Sequence, residues 1–375
     1  MKGRDMDINE FKDKLAAGTL SRREMNKALA AVGLAAVTMP LVPKGARAEE
    51  QAIYFTWSGY DIPELFPAYI EKHGVGPDTP LFSDNEETFI KMRAGFQVDV
   101  AHPCSFHTDR WRDAGIIQAI DTSRLSNWDD VFPDLKTLKN TQFDGEQWFV
   151  PFDWGQTSIT YRTDLVDWEG EDSWALLWDE RYKGRMSMLD AAEDAWWCAA
   201  IYAGVDVDNV TEDDFVKVRA LLDKQRPLLR YYSSDMTTVE QGLASGELVA
   251  AMTWNSSPLE LKNQGLEVRF MAPKEGALTW VCGMVLAAGA PHYDKAHDII
   301  DALIAVEPGI FLITEYGYGH SSMQAFEEVE EEVLLARGLS KDPLALIEAG
   351  VFIPSTTPET NTRIERDWAE LVSGF

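Results

Sequence analysis

The 375-residue chain predicts an α/β protein of two lobes. Three observations carry this expectation. Short apolar runs bounded by Gly, Pro, Asn or Asp alternate with segments of helical spacing, the pattern of layered α/β folds. Removing a 48-residue leader leaves 327 residues, more than one hydrophobic core ordinarily serves. No Pro-, Gly- or Ser-rich linker divides them, so several short crossovers should join the lobes and permit hinge motion.

The leader is expected from its order of features. Ser21-Arg22-Arg23-Glu24-Met25-Asn26-Lys27 is a twin-arginine pattern. An apolar run from Ala28 to Val42 follows, broken by Gly33 and Pro40, and Ala46-Arg47-Ala48 is an A-x-A cleavage signal. The run is 15 residues, short of the roughly 20 that cross a bilayer, so cleavage near Ala48 and a periplasmic product are expected. Residues 1–48 carry 9 Lys+Arg against 5 Asp+Glu, so a chain of net charge −28 becomes one of −32. That balance argues against nucleic acid as a partner and suits a cationic ligand or a saline medium.

In order along the remaining chain, Gln51–Trp57 reads as a strand and Pro63–Lys72 as a helix ended by His73-Gly74. Glu86–Ala94 is a helix with Gly95 past its end, Val98–Ala101 a buried strand, and Ser105–Ala114 a helix stopped by Gly115. Glu146–Phe152 and Ser158–Arg162 read as consecutive strands around a Trp154-Gly155 turn. Trp174–Trp178 and Asp194–Tyr202 read as helices flanking a strand at Met186–Leu189. Val239–Ala244 followed by Leu248–Trp254 repeats helix then strand. Ala296–Val306 is a helix with an apolar face, and Ala325–Arg337 an acidic surface helix. Cys104, Cys198 and Cys282 are spaced unlike a metal site or a disulfide framework and are expected as buried thiols.

Thirteen tryptophans are present, and four are expected at strand ends: Trp57, Trp154 and Trp254, each beside Ser, Gly or Asn, and Trp280. Strand ends deliver side chains to clefts, and gathered rings there cage an apolar or cationic body. Enzyme motifs are missing: there is no G-x-S-x-G elbow, no Walker loop, and no βαβ unit around Gly317-Tyr318-Gly319. The six histidines do not fall at zinc spacing, His102 and His107 being five apart. No catalytic residue, resident metal or cofactor is expected.

Taken together, these stretches resemble the periplasmic solute-binding proteins of ABC importers, and within them the spermidine/putrescine-binding family. The resemblance rests on Trp57-Ser58-Gly59-Tyr60, Asn85-Glu86-Glu87, Gly115 to Asp121, Pro151 to Gly155, Trp174 to Trp178 with Tyr182-Lys183-Gly184, Trp254 to Ser257, Pro273 to Gly276, and Glu315 to Tyr318. It implies a type II, Venus-flytrap fold with crossover hinge strands, a monomer serving a membrane permease, and one small amine held between the lobes. Lobe 1 is expected at 49–157 and 283–326, and lobe 2 at 158–282 and 327–375. By motif position, Trp57, Ser58 and Tyr60 match one wall of the cleft, and Ser105-Phe106 a helix start that touches ligand. Asp194 falls where the family has an amine-binding Glu. Trp254, Trp280 and Tyr318 match further rings.

One place departs from the family. After Trp280 it has an apolar residue and then an Asp, the main ammonium ligand; here stands Val281-Cys282. Ser257 likewise stands where some diamine binders have an Asp. Losing one partner of a buried ion pair costs about 3–5 kcal/mol, and a cation–π contact returns only about 0.5–2 kcal/mol. Asp153 is the candidate replacement, its alternative being a turn residue that accepts backbone N–H groups. Two ligands fit: a polyamine held by Asp153 and Asp194, or a cation such as a methylated amine whose second end is not a primary ammonium. Tyr231-Tyr232 raises a separate expectation, since related ferric-binding proteins use a tyrosine pair. An exported enzyme is the remaining alternative.

Overall fold

The computed structural model describes residues 50–373 apart from 83, 208, 343, 344, 346, 348 and 349. The expected leader and cleavage site lie outside the described residues. Short, mostly apolar runs lay down most of the strands: β1 (Tyr54–Trp57), β2 (Leu81–Phe82), β3 (Val100–Ala101), β4 (Ile117–Gln118) and a separate hairpin of β5 (Gln142–Phe143) and β6 (Glu146–Gln147). Then come β7 (Val150–Arg162), β8 (Met186–Met188), β9 (Leu229–Tyr232), β10 (Ala250–Trp254) and β11 (Val268–Phe270). The series closes with β12 (Leu278–Ala287), β13 (Gly319–His320) and β14 (Val351–Phe352). The main path of the sheet runs β2-β1-β3-β12-β7-β10-β8-β9.

Two strands, β7 and β12, are long enough to belong to both halves of that path. They pair antiparallel from Leu278↔Thr157 to Met284↔Val150. Their apolar residues divide accordingly. Val150, Phe152 and Trp154 join the clusters built on Tyr54, Phe55 and Trp111, whereas Ile159 and Tyr161 join the one built on Trp174 and Trp197. On β12, Leu278 belongs with Trp174, and Val281, Met284 and Leu286 with the first group. β14 pairs in parallel with Leu278 and Thr279, adding a third passage of chain near the same place. This is a two-lobed α/β architecture, as the alternation of elements predicts.

The expected Trp154-Gly155 turn is absent: β7 runs straight through both residues. Gly155 is there for close approach. A Cβ on it would lie 2.5 Å from Cζ2 of Trp280 and 2.5 Å from Oδ1 of Asn255. Trp280 does not end a strand but is the third residue of β12. The acidic helix expected at 325–337 is two, Met323–Glu328 and Glu331–Ala336, with Leu334 fully buried between solvent-facing glutamates. Helix ends follow their caps. Asp84 accepts from the Glu87 N–H at 2.7 Å, and Gly74 takes the left-handed φ of 76° that ends Pro67–His73. The two longest helices outside the sequence expectations are Glu212–Gln225, started by a Thr211/Asp214 capping box, and Pro358–Val372, capped by Thr357. Both pack against the helix Ala192–Tyr202.

The cysteines correct a second expectation. Cys104 and Cys282 form a disulfide, and only Cys198 is a buried free thiol. The link is geometric: the two residues face each other in an antiparallel bridge beside β12, with Cα atoms 3.7 Å apart. The bond spans 178 residues of sequence. On a chain-entropy account a loop of that length is worth about 5 kcal/mol. We expect Cys104→Ser with Cys282→Ser, or reduction of the native protein, to lower the stability measured in urea by up to that amount. Unchanged urea midpoints in the double variant would show that the bond does not stabilise the fold.

Candidate functional site

Where β7 and β12 cross from one lobe to the other, they carry a buried polar network. Asp153 is 2% exposed. One of its oxygens takes the Tyr60 hydroxyl proton, and the other lies 2.9 Å from Nε2 of His102. Beside a carboxylate, Nε2 carries the proton, which leaves Nδ1 to accept from the Tyr54 hydroxyl at 2.9 Å, with Thr56 Oγ1 at 3.0 Å. Burial raises the pKa of both tyrosines well above the usual phenol range, and the charge of Asp153 raises them further. Both therefore stay hydroxyl donors. The carbonyl of His102 holds Trp57 through its indole N–H at 2.9 Å. One strand end thus fixes both the first aromatic wall and the hydroxyl of Tyr60.

The second wall is built on the crossing itself. Trp280 lies across Gly155 and meets Tyr318 edge to face at 5.2 Å between ring centroids. The Tyr318 hydroxyl is 3.0 Å from Ser256 Oγ. Asn255 ties the same corner, accepting from the Gln156 N–H at 3.0 Å and donating to the Gly317 carbonyl at 2.7 Å. Tyr316 donates to the Gly59 carbonyl at 2.5 Å, closing the late loop over the Trp57–Tyr60 turn. The buried, neutral His320 pins that loop. Ser322 N–H donates to its Nδ1 and its Nε2 donates to the Leu303 carbonyl, while burial lowers its pKa to about 4.

Across from these rings, Trp254 ends β10 and packs against the clusters of both lobes, as does Phe106. Trp254 pairs with Thr157, whose hydroxyl reaches Asp194 at 3.4 Å. Asp194 is half-buried in the first turn of Ala192–Tyr202, and its pKa is raised to about 7 by desolvation and by neighbouring Glu193. No Lys or Arg lies within ion-pair distance of it among the described residues. At the rim, His107 Nε2 is 3.0 Å from Glu193, and the Asn361 amide lies between Glu193 and Arg110, the latter paired with Glu86.

The expected site residues therefore fall into two groups. Trp57, Tyr60, Phe106, Trp254, Trp280 and Tyr318 share one apolar cluster, and Phe106 and Trp254 pack on the second as well; Ser105 precedes Phe106, Asp194 is reached by Thr157, and Ser257 is fully buried three residues past Trp254. Four others differ from expectation. Trp154 is 2% exposed and stacks on Phe326 inside the first lobe, because alternation along β7 turns it away from Asp153. Ser58 is exposed in the turn after β1. Cys282 offers no thiol, being bound to Cys104. Asp153 lies on a strand rather than in a turn, with both oxygens turned to Tyr60 and His102. The ferric expectation also fails geometrically. Successive strand residues face opposite ways, so Tyr232 packs on Trp368 at 4.9 Å while Tyr231 turns toward Gly242 and Leu248. His102, Asn255 and Tyr316 stand outside the expected site residues. Only the small polar run Trp254-Asn255-Ser256-Ser257 hinted at one of them.

The fold and this site define a two-lobed binding protein. The chain belongs to the bacterial extracellular solute-binding protein family, whose profile matches residues 95–314, a family of solute-binding transport proteins. It is 26% identical over 314 residues to a spermidine/putrescine-binding periplasmic protein of Escherichia coli K12, covering 82% of this chain and 89% of the relative. A putrescine-binding periplasmic protein of the same organism is 27% identical over 363 residues, covering 91% and 97%. Among solved structures, a putative spermidine/putrescine ABC transporter protein from Listeria monocytogenes superposes with a TM-score of 0.78 at 19% identity, covering 86% of this chain and 98% of that one.

The raised pKa of Asp194 has a signed consequence. Below about pH 4 the carboxyl is protonated in folded and unfolded chains alike and costs nothing. As pH rises from there to about 7 the unfolded chain ionises first, so this group lowers stability across that window. Glu365, also raised to about 7 by burial and by Glu193, acts in the same direction. We expect Asp194→Asn to raise the unliganded melting temperature at pH 7.5 relative to wild type and to leave it unchanged at pH 4. Equal shifts at both pH values would show that Asp194 is ionised normally in the fold.

Proposed function

We propose that the protein is the extracytoplasmic receptor of an ABC importer and that its cleft holds a small amine-type cation, such as a polyamine or a related amino compound. The observation that carries this reading is Asp194, a half-buried carboxylate beside Trp254 with no Lys or Arg partner among the described residues. A carboxylate held in that state gains most from a cation brought by a ligand. The rings of Trp57, Trp254, Trp280 and Tyr318 supply faces for the alkyl and cationic parts of such a molecule. Relatives named for spermidine, putrescine and agmatine point to the same chemistry.

The mechanism follows from where these groups sit. Trp57, Tyr60 and Trp280 belong with one lobe and Asp194 with the other, so a ligand that touches both favours the closed arrangement. A membrane permease then reads closure; no chemical step is required. We assign the first lobe to 49–157 and 283 to about 350. Val329, Leu334, Leu339 and Ile347 pack with Phe55 and Trp111, which moves the last boundary from 326 to β14. The second lobe is then 158–282 with the C-terminal segment, whose Ile364 and Trp368 pack with Trp174. Export by the twin-arginine route, cleavage near Ala48, a periplasmic location and a monomeric state complete the reading. No helix among the described residues is long and apolar enough to cross a membrane.

The test is a thermal-shift screen of the chain from Glu49 with diamines, triamines, methylated amines, amino acids and ferric salts. A ligand at 100 times its Kd stabilises by about 2.7 kcal/mol. We expect amines to raise the melting temperature and to do so more at pH 8 than at pH 5.5, because binding must displace the Asp194 proton at the lower pH. A shift with another class and none with any amine would end the amine reading.

A further inference from the structure

Trp280 is 9% exposed, and its indole N–H has no hydrogen-bond partner among the described residues. A buried donor left unpaired is destabilising, and nearly all such groups in native proteins meet an acceptor. The indoles of Trp111 and Trp197 are also unpaired, but neither belongs to the cluster of Tyr60, Trp280 and Tyr318. Polar groups beside that ring are already committed to one another. Asn255 joins the Gln156 N–H to the Gly317 carbonyl, and Ser256 meets the Tyr318 hydroxyl. Register shows what the free N–H shares a surface with. On β7, Asp153, Gly155 and Thr157 point to one face, because alternate strand residues do. Opposite them stand Cys282 and Trp280 on β12 and Trp254 on β10. At one end of this face Thr157 reaches Asp194 at 3.4 Å. At the other, Asp153 gives both oxygens to Tyr60 and His102, and Cys282 is bonded to Cys104.

We propose that the Trp280 indole N–H is the seat for a neutral oxygen acceptor, so that the cleft selects an amine whose far end is a hydroxyl or an amide carbonyl. The ammonium goes to Asp194 and the oxygen takes the indole proton. Thr157 and Gly155, which lead to these two seats, are two strand residues apart, about 7 Å, a span that a four-carbon chain covers. A second ammonium at the Trp280 end would set donor against donor, since both Asp153 oxygens are already bonded. A carboxylate there would lie near those oxygens, and no Lys or Arg is in ion-pair contact with Asp153 among the described residues to offset the repulsion. Trp280 is therefore the residue that decides the chemistry of the ligand's far end, and Asp194 that of its near end.

This inference rests on the amine reading, and the experiment separates the two. Amines of one chain length are titrated by calorimetry into the purified protein: 4-amino-1-butanol, 1-aminobutane, 1,4-diaminobutane and 4-aminobutanoate. The same series is run on Trp280→Phe, which keeps a ring and removes the N–H. One hydrogen bond to an otherwise unpaired buried donor predicts that wild type binds the alcohol about 10-fold more tightly than 1-aminobutane. The diamine and the carboxylate should bind more weakly than the alcohol. In Trp280→Phe the alcohol and 1-aminobutane should come within about 2-fold of each other. No preference for the alcohol in wild type, or a preference that survives in Trp280→Phe, overturns the oxygen seat and leaves the amine reading standing. So does a diamine or carboxylate that wild type binds more tightly than the alcohol. Wild type that binds none of the four overturns both. Should Trp280→Phe fail to fold, a crystal structure of wild type with 4-amino-1-butanol decides. A ligand oxygen at hydrogen-bond distance from Trp280 Nε1 supports the seat; a water there, or a ligand oxygen placed elsewhere, overturns it.

Discussion

The antiparallel pairing of β7 with β12 is the constraint on which the rest depends. Each strand leaves one apolar cluster and enters the other, so the ladder between Leu278↔Thr157 and Met284↔Val150 is at once the core of the sheet and the passage between lobes. A strand interior has little freedom, and that rigidity fixes the site. Asp153, Gly155, Trp280 and Cys282 are all strand residues here, so their directions are set by register rather than by loop conformation. Gly155 shows how tightly: its missing Cβ is the space in which the Trp280 ring lies.

From that ladder the electrostatics of the cleft can be followed outward. Asp153 is buried and is kept in place by Tyr60 and His102, with Tyr54 and Thr56 behind the imidazole. Fully engaged networks of this kind specify geometry, because each member has few alternatives. The carboxylate left without a Lys or Arg partner among the described residues, Asp194, lies instead on the helix Ala192–Tyr202. Fixed rings on the crossing thus stand apart from the carboxylate of Asp194, a division between shape and charge. The disulfide between Cys104 and Cys282 fits this division, tying the segment that leads into Ser105 and Phe106 to the crossing strand.

Most of the architecture was legible in the sequence, since alternating strands and helices with glycine stops are local signals. β7 was misread for a physical reason. Trp154-Gly155 has the composition of a turn, but its glycine answers a ring from a strand more than a hundred residues away. The helices Glu212–Gln225 and Pro358–Val372 carried legible caps in Thr211-x-x-Asp214 and Thr357-Pro358 that were passed over. Residue type did place Trp57 and Trp254 at strand ends, whereas partners were beyond reach. Whether Cys282 is a thiol depends on Cys104, and whether Asp153 is free depends on His102, 51 residues earlier.

The large negative charge is a separate matter from recognition. A net of −32 after the leader would attract any cation at low ionic strength. At physiological salt the Debye length is about 8 Å, so exposed carboxylates such as those of Glu328, Glu331 and Glu332 act only on what touches them. Selectivity must come from groups shielded from that screening. Asp194 meets this requirement, since burial is the chief cause of its raised pKa. Exposed carboxylates speed encounter with cations at low salt, whereas the half-buried Asp194 near Trp254 is a carboxylate whose interactions salt weakens least.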